Sequence, residues 1–189
     1  MAAMADRLQE QALVEQFRRG DDSAFDRIVE RHAAEIAALA NRLLAWPQDV
    51  DDVVQDVFVS AFTSLRRFRG DCRLRTWLFT ITINKCRSYR HRRLARRREV
   101  TVDGQHDIPS DETAATEAID TEGFARVRHA VQALPPKYRE VVVLRYLEGL
   151  ETAEICRLLR INANAVQVRL NRARKQLKDS LSGLVQEDT

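Results

Sequence analysis

The sequence has few of the residues that punctuate β-sheet proteins, with only 6 Gly and 4 Pro among its 189 residues. It contains no pair of alternating apolar and polar runs joined by a tight turn, which is the pattern of a β-hairpin. Leu, Ala, Arg, Glu and Gln, which favour helices, are abundant instead. We therefore expect an all-α protein, and its 44% hydrophobic content is enough for compact cores.

Patterns typical of secreted, zinc-binding, nucleotide-hydrolysing or membrane proteins are also missing. Cys72, Cys86 and Cys156 form no CxxC pair and the 4 histidines are scattered, so neither a disulfide framework nor a metal site is predicted. There is no Gly-rich phosphate-binding loop and no apolar signal segment, and the longest aliphatic run is Val141–Leu144. These features favour a cytoplasmic protein with reduced thiols, no cofactor and no membrane insertion.

Charge is distributed along the chain in blocks of alternating sign. Residues 1–64 carry a net charge of −6, whereas residues 65–98 carry +12, from 13 Arg or Lys and one acid. Residues 99–120 contain 7 acids and no Arg or Lys, and residues 121–185 carry +6. Although a basic run can be a solvated face, two blocks of this density indicate that a polyanion binds at two places.

Apolar residues recur at helical spacing in two stretches, which predicts two small helical domains. Residues 8–98 are expected to form an N-terminal bundle of four helices, and residues 121–185 a C-terminal helical domain. Residues 99–120 lack a sustained apolar period and predict a flexible acidic linker. The positions expected to face the two cores include Leu8, Phe62, Phe124 and Val127.

The C-terminal stretch predicts a helix-turn-helix, with a short helix at Thr152–Leu159, a turn at Arg160–Asn164 and a longer helix at Ala165–Leu181. Residues 160–178 contain six basic residues and no acid. A helix of this kind fits the major groove with its N-terminal residues nearest the bases, although a helical hairpin with a basic face is the alternative. The candidate DNA-binding residues are Asn164, Gln167, Val168, Arg169, Arg172 and Lys175.

The predicted fourth helix mixes arginines with Phe68, Trp77, Phe79 and Tyr89. Aromatic rings among basic side chains suit opened nucleic acid, because bases stack on the rings while the cations neutralise the backbone. Asn84 lies on the same helix and has the groups to hydrogen-bond a base edge, although a core Trp77 and a solvated Asn84 are the simpler alternatives. The candidate residues here are Arg75, Trp77, Asn84, Lys85, Arg87 and Arg90.

The predicted third helix has a different polar face. Its spacing places Asp52, Gln55, Asp56 and Val59 on one side. Carboxylates repel DNA, so this face indicates a protein partner. The weaker alternative is a metal site, which lacks histidine or loop ligands. Its candidate ligands are Asp49, Asp51, Asp52 and Asp56.

The two halves of the sequence contain short motifs in a fixed order. In the first half the motifs are Asp51–Phe58, Phe68–Asp71, Thr76–Phe79 and Ile83-Asn84. In the second half they are Leu134-Pro135-Pro136, Glu148-Gly149-Leu150 and Arg172-Ala173-Arg174. Each motif alone is weak, but their order and spacing over nearly the whole chain resemble the small extracytoplasmic-function group of bacterial RNA polymerase sigma factors and make the resemblance specific.

The resemblance implies roles for these segments and names the partners. The acidic face from Asp52 to Val59 would bind the clamp coiled coil of the polymerase β′ subunit. The helix through Trp77 and Asn84 would recognise and melt the minus-ten element, with Asn84 at the pocket for a flipped-out base. The helix-turn-helix would read the minus-thirty-five element. The implied partners are core RNA polymerase, including its β flap, promoter DNA and an anti-sigma factor, and no residue is catalytic.

The recognition helix departs from the family pattern, which often has a cation and a serine where this chain has Gln167 and Val168. Gln suits adenine and Val suits the thymine methyl group, whereas Arg favours guanine. We therefore predict an unusual minus-thirty-five sequence.

Two other classes of function compete with this interpretation. An ordinary helix-turn-helix regulator, binding operator DNA as a dimer, would explain residues 121–185 but leaves the acidic face, Trp77 and Asn84 without a role. A metal-dependent nuclease would use the aspartates near position 50. The sigma-factor interpretation accounts for both halves and ranks first.

Overall fold

The structure, a computed structural model, describes residues 2–44, 46–102 and 122–182, and these are helical apart from short connections. The all-α prediction is confirmed, since the described residues contain no strand. The helices are α1 (Ala2–Arg18), α2 (Ser23–Leu44), α3 (Val50–Leu65), α4 (Leu74–Val102), α5 (Glu122–Ala133), α6 (Pro136–Val142), α7 (Thr152–Leu159) and α8 (Ala163–Ser182). A 3-10 turn, Pro47–Asp49, precedes α3, and a π-helical turn, Val143–Leu147, extends α6.

The chain divides into two compact units, Met1–Arg98 and Glu99–Thr189. Helix α4 continues to Val102, past the expected end of the first domain, so the start of the predicted acidic linker is helical. The remainder of that linker, residues 103–120, lies outside the described residues.

The first unit is built around α2, which packs against both α1 and α3. Its buried side chains recur every three or four residues, so one face of the helix is apolar. Rings from three helices meet beside it, because Phe62 of α3 lies 5.2 Å from Phe17 of α1 and 5.1 Å from Phe25 of α2. Phe62 is nevertheless 42% exposed, since it lies at the rim of this ring cluster. Leu8, also expected in the core, is 58% exposed.

In the second unit α8 packs against α5, α6 and α7. The start of α5 differs from the prediction, because Phe124 and Val127 are 69% and 47% exposed. Only the later turns of α5 contribute buried residues, Ala130 and then Leu134 just beyond the helix. The apolar period of α5 correctly predicts a helix, but no described residue covers the first part of its apolar face.

The helix-turn-helix is confirmed, with a tighter turn than predicted. Helix α7 begins with a capping box in which the side chains of Glu151 and Glu154 accept hydrogen bonds from each other's backbone N–H groups. It ends at Arg160, whose left-handed backbone (φ 55°) lets its N–H bond the Cys156 carbonyl. Asn162 then starts α8, because its side-chain oxygen accepts a 2.8 Å hydrogen bond from the Ala165 N–H.

Replacing Arg160 by glycine should stabilise the second unit by about 0.5–1 kcal/mol, because glycine adopts the left-handed conformation without a Cβ clash. Urea unfolding followed by circular dichroism measures this change. Both tryptophans, Trp46 and Trp77, lie in the first unit, so the fluorescence transition should not move. Arg157→Gly, inside α7, is the matched control and should destabilise by about 1 kcal/mol. If both variants destabilise equally, the left-handed turn is not a point of strain.

Candidate protein-binding and nucleic-acid interfaces

The outward face of α3 brings together the four residues that the sequence assigns to a protein partner. Asp52, Gln55 and Val59 are exposed and Asp56 is partly exposed. The opposite face of the helix is buried in the core of the unit. Val59, at 57% exposure, is an apolar side chain next to two carboxylates. A large exposed aliphatic residue beside paired charges suits a protein interface better than a nucleic-acid surface.

This face borders a groove that the sequence does not reveal. The groove has a volume of about 460 Å³ and lies where α3 meets the later turns of α4. Among the described residues, one ion pair crosses the groove, between Arg92 Nη2 and Asp56 Oδ2 at 3.6 Å. Helices that the charge pattern assigns to different partners therefore share a surface. The lining residues are Asp52, Gln55, Asp56, Tyr89, Arg92, Arg93 and Arg96.

Beside the groove, Arg93 joins α4 to the connection between α2 and α3. Its guanidinium pairs with the Asp49 carboxylate and lies 4.6 Å from the centre of the Trp46 ring. Tyr89 is part of the same cluster, and burial, followed by a hydrogen bond with Asp49, raises the pKa of its phenol. The Asp49 carboxylate is thus already paired with the guanidinium of Arg93.

The metal-site alternative for the aspartates near position 50 gains nothing from this geometry. Asp49 and Asp56 face arginines rather than each other. Among the described residues no group of three or more His, Cys, Asp or Glu side chains is arranged to hold a metal ion.

Helix α4 has one buried and one solvent face. The buried face carries Phe79, which is fully buried, and the nearby Phe68 is only 7% exposed. The expectation that these two rings meet nucleic acid is therefore wrong, because both belong to the core. Trp77 is half-buried, with its ring 5.2 Å from that of Phe68, so it supports the core and still has an accessible part. Asn84 is exposed.

The basic candidates on α4 divide into two groups. Arg75 pairs with the Glu35 carboxylate of α2 and lies 4.3 Å from the centre of the Phe79 ring. Arg90 is only 9% exposed and donates to the Leu43 carbonyl, 3.4 Å away, at the C-terminal end of α2. Leu43 lies in the last turn of α2, so Arg90 acts as a C-terminal cap on that helix supplied by another helix. Burial argues against a direct DNA contact by Arg90.

Lys85 and Arg87 form the second group. Both are half-buried, and both follow the exposed Asn84 within one turn of α4. Two cations beside an exposed amide are an arrangement that neutralises phosphate while the amide reaches a base.

On α8 most of the predicted DNA-binding residues lie away from the buried positions Val166, Leu170 and Ala173. Most of the predicted set is exposed, and Arg169 is half-buried. Arg172 Nη1 donates to the Tyr138 hydroxyl of α6 at 3.4 Å, and this hydrogen bond lowers the pKa of that phenol. The exposed members of the set are Asn164, Gln167, Val168, Arg172 and Lys175.

A hydrogen-bonded pair on this surface was not predicted. Asn171 accepts from Gln167 at 3.1 Å, and Arg174 donates to the Tyr146 hydroxyl at 2.6 Å. The spacing of four residues between Gln167 and Asn171 was the available sequence signal.

Within residues 2–44, 46–102 and 122–182, none of the helices combines the length and the apolar character needed to cross a membrane.

Two protein-family models match the chain in the order of its two units. The Sigma-70 region 2 model matches residues 28–98, and the Sigma-70, region 4 model matches residues 124–177. The chain is 32% identical to the RNA polymerase sigma-H factor of Pseudomonas aeruginosa, over 95% of this chain and 97% of that protein. It is 30% identical to the ECF RNA polymerase sigma-E factor of Escherichia coli K12, over 96% and 99% respectively.

Solved structures have the same fold. The chain matches CnrH, solved in complex with the cytosolic domain of CnrY, at 33% identity with a TM-score of 0.64, over 96% of this chain and 99% of that chain. It also matches the sigma factor RpoE of Bartonella quintana, solved with the anti-sigma factor NepR, with a TM-score of 0.69 over 84% of this chain and 96% of that chain. The second match has 23% identity and supports the fold alone.

Replacing Arg90 by alanine should destabilise the first unit by about 2 kcal/mol, because it removes a buried donor from the Leu43 carbonyl and the packing of its aliphatic stem. Lys85→Ala, on the same helix, should change stability by less than about 0.5 kcal/mol. Urea unfolding followed by tryptophan fluorescence measures both. Equal stability of the two variants would contradict the capping role of Arg90.

Proposed function

The chain belongs to the extracytoplasmic-function group of the sigma-70 family, and from this premise we propose that it binds core RNA polymerase, directs it to specific promoters and helps to open the minus-ten region. The observation that carries the proposal is the pairing, within one unit, of an acidic protein-type face on α3 with a basic face on α4. In an ordinary operator-binding regulator, the acidic face on α3 would have no role.

We assign polymerase binding to the α3 face. Its carboxylates, the exposed Asp52 and the partly exposed Asp56, fit a basic partner surface, and charge complementarity of this kind speeds association and fixes orientation. Val59 adds an apolar contact at the C-terminal end of this face, and Gln55 adds an amide that can both donate and accept hydrogen bonds. The proposed partner is the clamp coiled coil of the β′ subunit.

Minus-ten recognition is assigned to the solvent face of α4. Asn84 is the proposed base-contacting residue, since it is exposed and is followed within one turn by Lys85 and Arg87. Trp77 provides an aromatic surface on the same helix. Arg75 and Arg90 have a different task in this proposal, which is to hold α4 against α2 through Glu35 and the Leu43 carbonyl.

Minus-thirty-five recognition is assigned to the exposed face of α8. Gln167 and Val168 lie in the second turn of this helix, close to its N-terminal end, where a recognition helix meets base edges. Lys175 lies two turns further along and is assigned to the phosphate backbone. Because Gln and Val replace a cation and a serine, adenine and thymine should be favoured at the positions they read.

Control by an anti-sigma factor completes the proposal. The structural relatives CnrH and RpoE were solved with a cytosolic partner domain and with an anti-sigma factor. We propose that such a partner covers the α3 face, where Val59 and Phe62 expose 57% and 42% of their surface. Polymerase and promoter DNA place the proposed activity in the bacterial cytoplasm.

The combined variant Asp52→Ala, Gln55→Ala and Asp56→Ala should lose about a hundredfold in affinity for sigma-free core RNA polymerase, since removing one side of a set of charged contacts leaves the partner's charges unpaired in the interface. Binding and run-off transcription from a library of promoter fragments measure the loss. The control is Asp26→Ala with Glu30→Ala, which removes the same charge from exposed positions of α2.

Normal transcription by the triple variant would overturn the assignment of the α3 face. If the wild-type protein binds DNA but never starts specific transcripts with a cognate polymerase, the ordinary-regulator interpretation replaces the sigma-factor function.

Asn84→Ala should reduce promoter opening by about tenfold with little change in initial promoter binding, because a flipped base would lose one hydrogen-bonding partner in its pocket. Permanganate reactivity of minus-ten thymines measures opening, and competition with a duplex promoter measures initial binding. Ser88→Ala changes an exposed residue one turn away on α4 and should have no effect. Unaltered opening with Asn84→Ala would exclude this side chain from the pocket.

A further inference from the structure

A chain of hydrogen bonds runs along the exposed face of α8 and onto the turn after α6. Asn171 Oδ1 accepts from Gln167 Nε2 at 3.1 Å and from Arg174 Nη1 at 3.4 Å. Arg174 also donates to the Tyr146 hydroxyl, from Nε at 3.0 Å and from Nη2 at 2.6 Å. The chain thus connects Gln167, the proposed base reader, to a residue of a different element.

These hydrogen bonds set the orientation of the side-chain amides of Asn171 and Gln167. Because Asn171 Oδ1 receives two donors, this oxygen faces along the helix and the amide cannot turn over without losing both. Gln167 must then present a nitrogen to Asn171. That bond does not use Oε1 or the second hydrogen of Nε2, the side chain is exposed, and within the described residues no donor reaches that oxygen.

At its other end, this series of hydrogen bonds reaches Tyr146, which lies outside α8 in the second unit. Tyr146 follows Leu144, which is fully buried, and belongs to the π-helical turn Val143–Leu147. Its ring is half exposed, with the Arg174 guanidinium 5.9 Å from the ring centre. Arg174 is therefore held by a second element, and it in turn holds the oxygen of Asn171.

We infer that Asn171 is a positioning residue for promoter reading, which fixes the Gln167 amide in the orientation that recognises adenine. A glutamine reads adenine by accepting from its N6 amino group and donating to its N7. Those are the two groups that the bond to Asn171 leaves unused. An amide turned the other way would offer Asn171 an oxygen and lose the bond. This inference rests on the proposed function, and it names which base class Gln167 selects and what holds it ready.

The size of the effect is bounded by the bond itself. A glutamine-to-asparagine hydrogen bond one helical turn apart shifts an equilibrium by about twofold. Losing Asn171 should therefore weaken adenine preference about twofold, which is less than losing Gln167 itself but measurable in a pooled promoter library.

The test uses the full chain with core polymerase and a promoter library randomised across the minus-thirty-five element. Gln167→Ala and Gln167→Arg first identify the position that Gln167 reads. Asn171→Ala should lower adenine preference at that same position and nowhere else. Alanine favours helix more than asparagine does, so reduced helix stability does not explain such a loss. Gln176→Ala, an exposed change further along α8, should leave every position unchanged.

A conservative variant separates positioning from a direct contact. Asn171→Asp keeps an oxygen that accepts from Gln167 and Arg174, so adenine preference should be retained. Its added negative charge near the phosphates should lower transcription from all promoters together. Tyr146→Phe removes the acceptor of Arg174 and should weaken the preference in the same direction as Asn171→Ala, by a smaller factor.

The possible results separate the inference from the proposed function. No specific transcript with the wild-type protein would overturn the proposed function, and the inference with it. Specific transcripts whose preferences ignore both Gln167 variants would leave the function standing and overturn the inference. An unchanged adenine preference in Asn171→Ala, at a position that Gln167→Ala does alter, would overturn it as well.

Discussion

A helix that binds a polyanion can bury only one of its faces, and both units are organised around this constraint. On α4 the side chains of Leu74, Leu78, Phe79, Ile83 and Cys86 are buried, while Asn84 is exposed. On α8 the buried positions are Val166, Leu170 and Ala173, and the cations lie on the other side. The remaining helices supply the cover for those apolar faces. Their packing therefore determines where the polar residues point.

The same constraint explains why the arginines do not form one class. Arg90 and Arg139 are buried at 9% and 7% exposure, and each donates to carbonyls at the C-terminal end of a neighbouring helix. Arg139 bonds the Leu134 carbonyl at 3.0 Å, just beyond α5. The last carbonyls of a helix lack partners within it, and a guanidinium on another helix satisfies them and favours the negative end of the helix dipole. Part of the basic charge that indicates a nucleic-acid partner therefore stabilises the fold instead.

Sequence patterns predicted the local structure and the faces of the helices more reliably than what covers each face. The helix-turn-helix and the outward stripe from Asp52 to Val59 follow from spacing alone. The same spacing placed Phe124 and Val127 of α5 inside, because periodicity identifies an apolar face but not whether another element packs on it. The groove between α3 and α4 depends on contacts distant in sequence, such as Arg92 with Asp56, which no local pattern encodes. The hydrogen bond between Gln167 and Asn171 could be predicted from their spacing, whereas the connection through Arg174 to Tyr146 could not.

The division of α8 into two faces also has an evolutionary consequence. The residues that hold the unit together and the residues that meet solvent alternate within five turns of one helix, so they can change independently. A substitution at Gln167 or Val168 leaves the buried Val166 and Leu170 in place. Under the proposed assignment of Gln167 and Val168 to base reading, descendants of this chain can thus drift toward new target sequences one side chain at a time while the scaffold stays constant. Duplicated copies in one genome can diverge into separate regulatory circuits by the same route.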